Sequence, residues 1–139
     1  MTPELFIIAK ASEAIQALYG VEVSAAQLQV QVTRKEFEGD YTLVVFPLLR
    51  VSKTTPENTG NAIGEWLKTN VPEIAGYNTV KGFLNISFSE VYWNGVFAEI
   101  AAAEDFGQLP PTGRTIMVEY SSPNTNKPLH LGHIRNNLL

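Results

Sequence analysis

The sequence contains no cysteine, which excludes disulfide scaffolds, thiolate metal sites and cysteine nucleophiles together. No apolar run approaches the roughly 20 residues that span a bilayer, so a transmembrane helix is excluded, and no membrane partner is expected. The opening Met1-Thr2-Pro3-Glu4 has no basic stretch ahead of an apolar core, and no secretory signal is expected. Charge is also sparse. Charged residues make up 17% and apolar residues 45%, which describes an ordinary globular chain and excludes wholesale disorder. Its 139 residues suffice for one domain, or for one domain and part of another. The net charge of −4 speaks against a broad electrostatic grip on nucleic acid.

That charge is unevenly spread. Residues 1–110 carry 7 basic against 13 acidic side chains, while residues 111–139 carry Arg114, Lys127 and Arg135 against Glu119 alone. Both histidines, His130 and His133, fall in the same stretch. The tail is chemically distinct from the body.

Thr2 as a cap, Pro3 in the first helical position and Gly20 as a stop predict a first helix, with Leu5, Ile8, Ile15 and Leu18 facing inward. Leu28, Val30 and Val32 alternate with Gln29, Gln31 and Thr33, the pattern of a half-buried strand. Glu38-Gly39-Asp40 supplies a turn, and Tyr41 to Leu49 reads as the returning strand, its Val44-Val45-Phe46 centre covered on both faces. Thr55-Pro56-Glu57 starts a helix to about Asn70 with Ala62, Ile63, Trp66 and Leu67 inward. Gly60 and Gly64 weaken it by up to about 1 kcal/mol each. Two short strands follow, near Tyr77 to Lys81 and Phe83 to Phe88. A last helix, capped by Ser89, carries a core-facing stripe of Trp93, Val96, Phe97, Ile100 and Ala101. The expected class is α+β, with helices packed on a mainly antiparallel sheet over residues 1–107.

Residues 108–113, with Pro110-Pro111, read as a stiff linker. Residues 114–139 then read as the first strand (Thr115 to Tyr120), a polar loop and the helix start of a Rossmann-like α/β domain. A helix N-terminus attracts phosphate. Gly132 leaves space for a ring to approach the backbone, and His130 and His133, three apart, can donate to phosphate oxygens. The same pair also fits half a metal site or a solvated helix start, but without cysteine or clustered carboxylates no metal is expected.

The run from Val118 to Asn136, with Ser121-Ser122-Pro123-Asn124 and His130-Leu131-Gly132-His133, resembles the opening of the catalytic domain of arginyl-tRNA synthetases, which are class I aminoacyl-tRNA synthetases. Glu38-Gly39-Asp40-Tyr41 and Gly82-Phe83-Leu84-Asn85-Ile86 are similar to stretches of that family's additional N-terminal domain, although the first departs from the pattern after Tyr41. The resemblance implies an N-terminal fragment: an additional tRNA-recognition domain (1–107), a linker (108–113) and a truncated catalytic nucleotide-binding domain (114–139). It implies a cytoplasmic, monomeric ligase that activates arginine with ATP and its Mg2+ counter-ion, then transfers it to the 3′ end of tRNA(Arg). The fragment alone is expected to be inactive.

By the same resemblance, His130, Gly132 and His133 bind ATP, the two histidines acting catalytically, and Glu119, Ser121, Ser122 and Asn124 contact arginine. A carboxylate such as Glu119 suits a guanidinium, although a surface strand residue is the plainer alternative. Lys127 is either a phosphate contact or an exposed loop lysine. For the tRNA D-loop the candidates are Phe83 and Asn85, on one strand face by alternation, with Tyr77 and Asn78 adjacent. Phe83 as a core residue is the competing assignment. A stand-alone RNA-binding module without catalysis is the alternative for the whole chain. The apolar strand at 115–120, lacking neighbours, is expected to pair with a second copy.

Overall fold

A computed structural model describes residues 2–119, 123 and 126–138. Two compact units divide the chain, Met1–Glu104 and Asp105–Leu139. The first is an α+β domain. Helix α1 (Pro3–Tyr19) begins where the Thr2 side chain accepts from the Leu5 N–H, and ends at Gly20 in the left-handed conformation. Strands β1 (Val30–Val32) and β2 (Tyr41–Val44) pair antiparallel. A short helix α2 (Leu49–Ser52) leads to α3 (Pro56–Asn70), capped by Thr55. Then come β3 (Ile74–Val80), β4 (Phe83–Phe88) and α4 (Glu90–Ala102). The sheet order is β1-β2-β4-β3, every neighbour antiparallel.

The core lies between this sheet and helices α1 and α3. Ile7, Ile15, Leu43, Val45, Ile63, Leu67, Leu84 and Ile86 are its large fully buried apolar side chains. Gly60 and Gly64 sit on the buried side of α3. A Cβ on Gly60 would come 2.6 Å from Thr79, and one on Gly64 would enter the Tyr77 ring. The two glycines that weaken α3 as an isolated helix are what allow it to lie so close to β3.

Several sequence expectations are corrected. The buried face of α1 runs through Ile7, Ala11, Ala14 and Ile15, leaving Leu5 and Leu18 exposed, because the small alanines form the contact seam. Strand β2 stops at Val44 rather than Leu49. Val45 turns into the helical region, and Pro47, which has no N–H for a ladder, sits in a 3-10 turn at Phe46–Leu48. Phe46 is therefore exposed rather than covered. Strand β3 starts at Ile74, earlier than expected, with an irregularity between Ile74 and Gly76. Helix α4 buries only Tyr92, which packs with Phe6 and Phe88. Trp93, Phe97 and Ile100 of the expected stripe are exposed.

In the second unit, helix α5 (Leu131–Leu138) forms as expected. The strand expected at 115–120 does not: among the described residues, 115–119 pair with nothing, and Ile116 and Val118 are exposed. A strand exists only through a partner, and none of the described residues provides one. Tyr120 lies outside the described residues. No helix among the described residues is long and apolar enough to cross a membrane.

Candidate functional site

Successive side chains of a strand point to opposite faces, and directly paired residues share a face. Leu84 and Ile86 of β4 are buried against the helices, so Phe83 and Asn85 belong to the other face. The register extends that row. Asn85 lies opposite Thr42 on β2 and Asn78 on β3, and Thr42 lies opposite Gln31 on β1. Gln31, Thr42, Asn85 and Asn78 thus cross the sheet in one polar line on the face away from α1 and α3.

A hollow of about 150 Å³ opens on this face. Thr42 and Asn85, 4% and 2% exposed, form its deepest lining. The exposed rings of Phe37 and Phe83, the cations Arg34 and Lys81, and Gln31 with Val80 line the rest. Arg34 and Phe37 come from the β1–β2 loop. Lys81 comes from the two-residue β3–β4 turn, in which Lys81 and Gly82 both take positive φ. In a domain whose net charge is negative, this is a local cationic patch with aromatic faces.

Each part is held in place. Thr42 Oγ1 donates to Asn85 Oδ1 at 2.7 Å. The Thr33 and Thr42 hydroxyls are 2.9 Å apart. The single proton of Thr42 is spent on Asn85, so Thr33 donates to Thr42. Asn85 Nδ2 is buried and has no partner among the described residues, an omission that typically costs about 1–3 kcal/mol. Phe83 is braced by Phe46, edge-on at 5.7 Å between ring centroids. A side chain on Gly82 would strike that Phe46 ring at 2.6 Å. Asp40 ties the β1–β2 loop to β4: its N–H donates to the Ile86 carbonyl, and its Oδ2 accepts from the Phe88 N–H, both at 2.8 Å.

Phe83, Asn85 and Asn78 therefore share one face, but Tyr77 does not join them. It pairs with Ile86 on the helix side, and its hydroxyl donates to Glu65 of α3 at 3.0 Å. Burial, the bond to Glu65 and the Glu65 charge all raise the Tyr77 pKa above 10.0. Arg34, Phe37, Thr42 and Lys81 carried no sequence signal of their own, and Gln31 only that of a polar strand position, since strand register and the two hairpin loops assemble them. A second hollow, beside α4, is lined by Phe6, Tyr92 and Val96 with Glu73 and Glu99. Its carboxylates make it a poor host for phosphate.

The second unit carries the other candidates. The His130 N–H donates to His133 Nδ1 and the Gly132 N–H to His130 Nδ1, both at 3.1 Å. The imidazoles thus occupy two backbone donors that the sequence suggested for phosphate. With Nδ1 accepting, each neutral ring carries its proton on Nε2, which is the donor left for an anion. The rings are 4.1 Å apart. A Cβ on Gly132 would lie 2.9 Å from the His130 ring, so the space this glycine keeps open is filled by that imidazole. Glu119 and Lys127 are exposed. Ser121, Ser122 and Asn124 lie outside the described residues. Among the described residues no three metal-ligating side chains gather.

No family model matches the chain. Individual relatives do. It is 50% identical over 135 residues to the arginine–tRNA ligase of Bacteroides thetaiotaomicron, covering 96% of this chain and 23% of that one. It is 54% identical over 127 residues to that of Bacteroides fragilis (strain YCH46), covering 90% and 21%. Identity to the ligase of Amoebophilus asiaticus is 47% over all of this chain and 23% of that one. Among solved structures, Thermus thermophilus arginyl-tRNA synthetase superposes with a TM-score of 0.57 at 25% identity, over 97% of this chain and 21% of its own. By sequence and fold the chain is a relative of the arginine–tRNA ligases, spanning about a fifth of their length.

Proposed function

We propose that the protein acts in arginine–tRNA ligation, and that the first unit contributes tRNA recognition through the open face of its sheet. The observation that carries this reading is the buried Asn85 amide nitrogen, without a partner among the described residues, in a hollow it shares with the exposed Phe83 ring and two cations. A base splayed from an RNA loop stacks on such a ring and bonds such an amide. Arg34 and Lys81 meet the flanking phosphates, and Asn78 and Gln31 extend the polar line. The D-loop at the tRNA elbow is the proposed source of that base. The patch is small and the domain otherwise acidic, so binding relies on fit more than on bulk charge.

The second unit contributes the start of the ATP and arginine site. The Nε2 donors of His130 and His133 meet charge developing on the α-phosphate during adenylation. Lys127 reaches further phosphate oxygens, with Mg2+ accompanying ATP as its counter-ion. Glu119, with Ser121, Ser122 and Asn124, takes the arginine guanidinium and amino-acid groups.

The test is equilibrium binding of tRNA(Arg) to Phe83→Ala and Asn85→Ala. Each substitution is expected to weaken binding by about 1–2 kcal/mol and leave ATP binding unchanged. Wild-type affinity in both would move the RNA contact off this face.

A further inference from the structure

We infer that Thr33 and Thr42 set the hydrogen-bonding polarity of the hollow, so that it selects a base edge presenting an acceptor. The inference rests on the reading of this face as an RNA-base site and deepens it. An asparagine amide reads donors with its oxygen and acceptors with its nitrogen, and a free side chain can swap the two by rotation. Here the rotation is locked. Thr42 Oγ1 donates its one proton to Asn85 Oδ1, and the Thr33 hydroxyl, 2.9 Å from Thr42, is then left to donate to Thr42 and completes the chain. The oxygen is thereby satisfied inside the protein, and the nitrogen is the group left without a partner among the described residues.

The three residues come from separate places in the chain: Thr33 just after β1, Thr42 within β2 and Asn85 within β4. The register puts Thr42 directly opposite Asn85, and Thr33 is held beside β2 by its N–H bond to the Asp40 carbonyl at 3.0 Å. Such a relay does nothing for a hydrophobic ligand. For a base it fixes what is read, because a donor brought to this amide meets another donor, while a ring nitrogen or carbonyl oxygen completes it. Thr42 and Thr33 act through Asn85 and are positioning residues. Gln31, also lining the hollow, has no such lock among the described residues and can adapt to either kind of edge.

The test uses RNA hairpins with the D-arm sequence carrying adenosine at the splayed position, because adenine separates its donor from its acceptors. Purine riboside removes only the exocyclic amine donor; the 1-deaza, 3-deaza and 7-deaza adenosines each remove one ring acceptor. For the wild-type chain, loss of the donor should change affinity less than twofold, and one of the three acceptor losses should cost about tenfold. In Thr42→Val the amide is released, and that acceptor penalty should shrink below threefold; in Thr42→Ser it should persist. A larger penalty for losing the donor, or an unchanged acceptor penalty in Thr42→Val, would overturn the inference while leaving base recognition standing. Equal binding of an abasic hairpin would overturn the base site itself.

Discussion

Replacing Gly64 with alanine would reverse the usual effect of that exchange in a helix. In a helix interior, alanine is favoured over glycine by about 1 kcal/mol. At Gly64, however, the new methyl would lie 2.7 Å from Tyr77 Cε2 and closer still to Cγ and Cδ2. Tyr77 cannot swing clear without pulling its hydroxyl from Glu65 or moving β3, on which Asn78 lies opposite Asn85. Overpacking of this kind costs about 1–3 kcal/mol. A value near the upper end, less the propensity gain, leaves a net loss of about 2 kcal/mol. Gly95 is the internal control: it too lies inside a helix, and a Cβ there meets nothing within 4 Å. Gly95→Ala should therefore stabilise by up to about 1 kcal/mol. Urea denaturation followed by circular dichroism measures both; for Gly64→Ala the midpoint should fall by roughly 1 M. If the two substitutions shift stability in the same direction, the close approach of α3 to β3 is wrong.

Tyr92→Phe should be neutral or stabilising by up to about 1 kcal/mol in the same assay, because the buried Tyr92 hydroxyl has no partner among the described residues; a clear loss would reveal a bond to that hydroxyl. Tyr77 should ionise later than a free tyrosine on alkaline titration, since burial and Glu65 raise its pKa. The sign follows: the stability it contributes is intact below 10.0 and is lost as pH rises through the raised value. Titration at the free-tyrosine value, read by ultraviolet difference spectra against Tyr77→Phe, would contradict the Tyr77–Glu65 contact. In the ligase proposed to carry this sequence, His133→Ala should slow adenylation about 10–1000-fold in single-turnover kinetics. An unchanged rate would remove His133 from the chemistry.

What the sequence made legible was local. Thr2-Pro3 and Thr55-Pro56 announce helix starts because capping is a contact within one turn, and Gly20 announces a stop for the same reason. Alternation placed Phe83 with Asn85 because a strand's two faces need no partner to be defined. What failed depended on distant residues. Leu5 and Leu18 looked buried by their helical spacing, yet Ala11 and Ala14 make the seam. The stripe on α4 has the right spacing, yet Tyr92 is the residue the helix buries, stacked on Phe88, while Trp93 meets those rings only edge-on and stays exposed. Tyr77 was grouped with Asn78 by adjacency in the chain, whereas neighbours in a strand face opposite ways. Gln31 was visible as a polar strand position, but its alignment with Thr42, Asn85 and Asn78 is a matter of register, which single-residue patterns do not carry.

The central claim is that RNA meets the sheet face bearing Phe83 and Asn85. The most direct measurement is a nuclear magnetic resonance titration of the isotope-labelled chain with a D-arm hairpin, following the side-chain amides of Gln31, Asn78 and Asn85. The account predicts that these amides shift, with the Asn85 Nδ2 protons moving most, while the Tyr77 and Glu65 signals on the helix side stay in place. Shifts confined to the helix side or to α4, with the three amides unmoved, would contradict it.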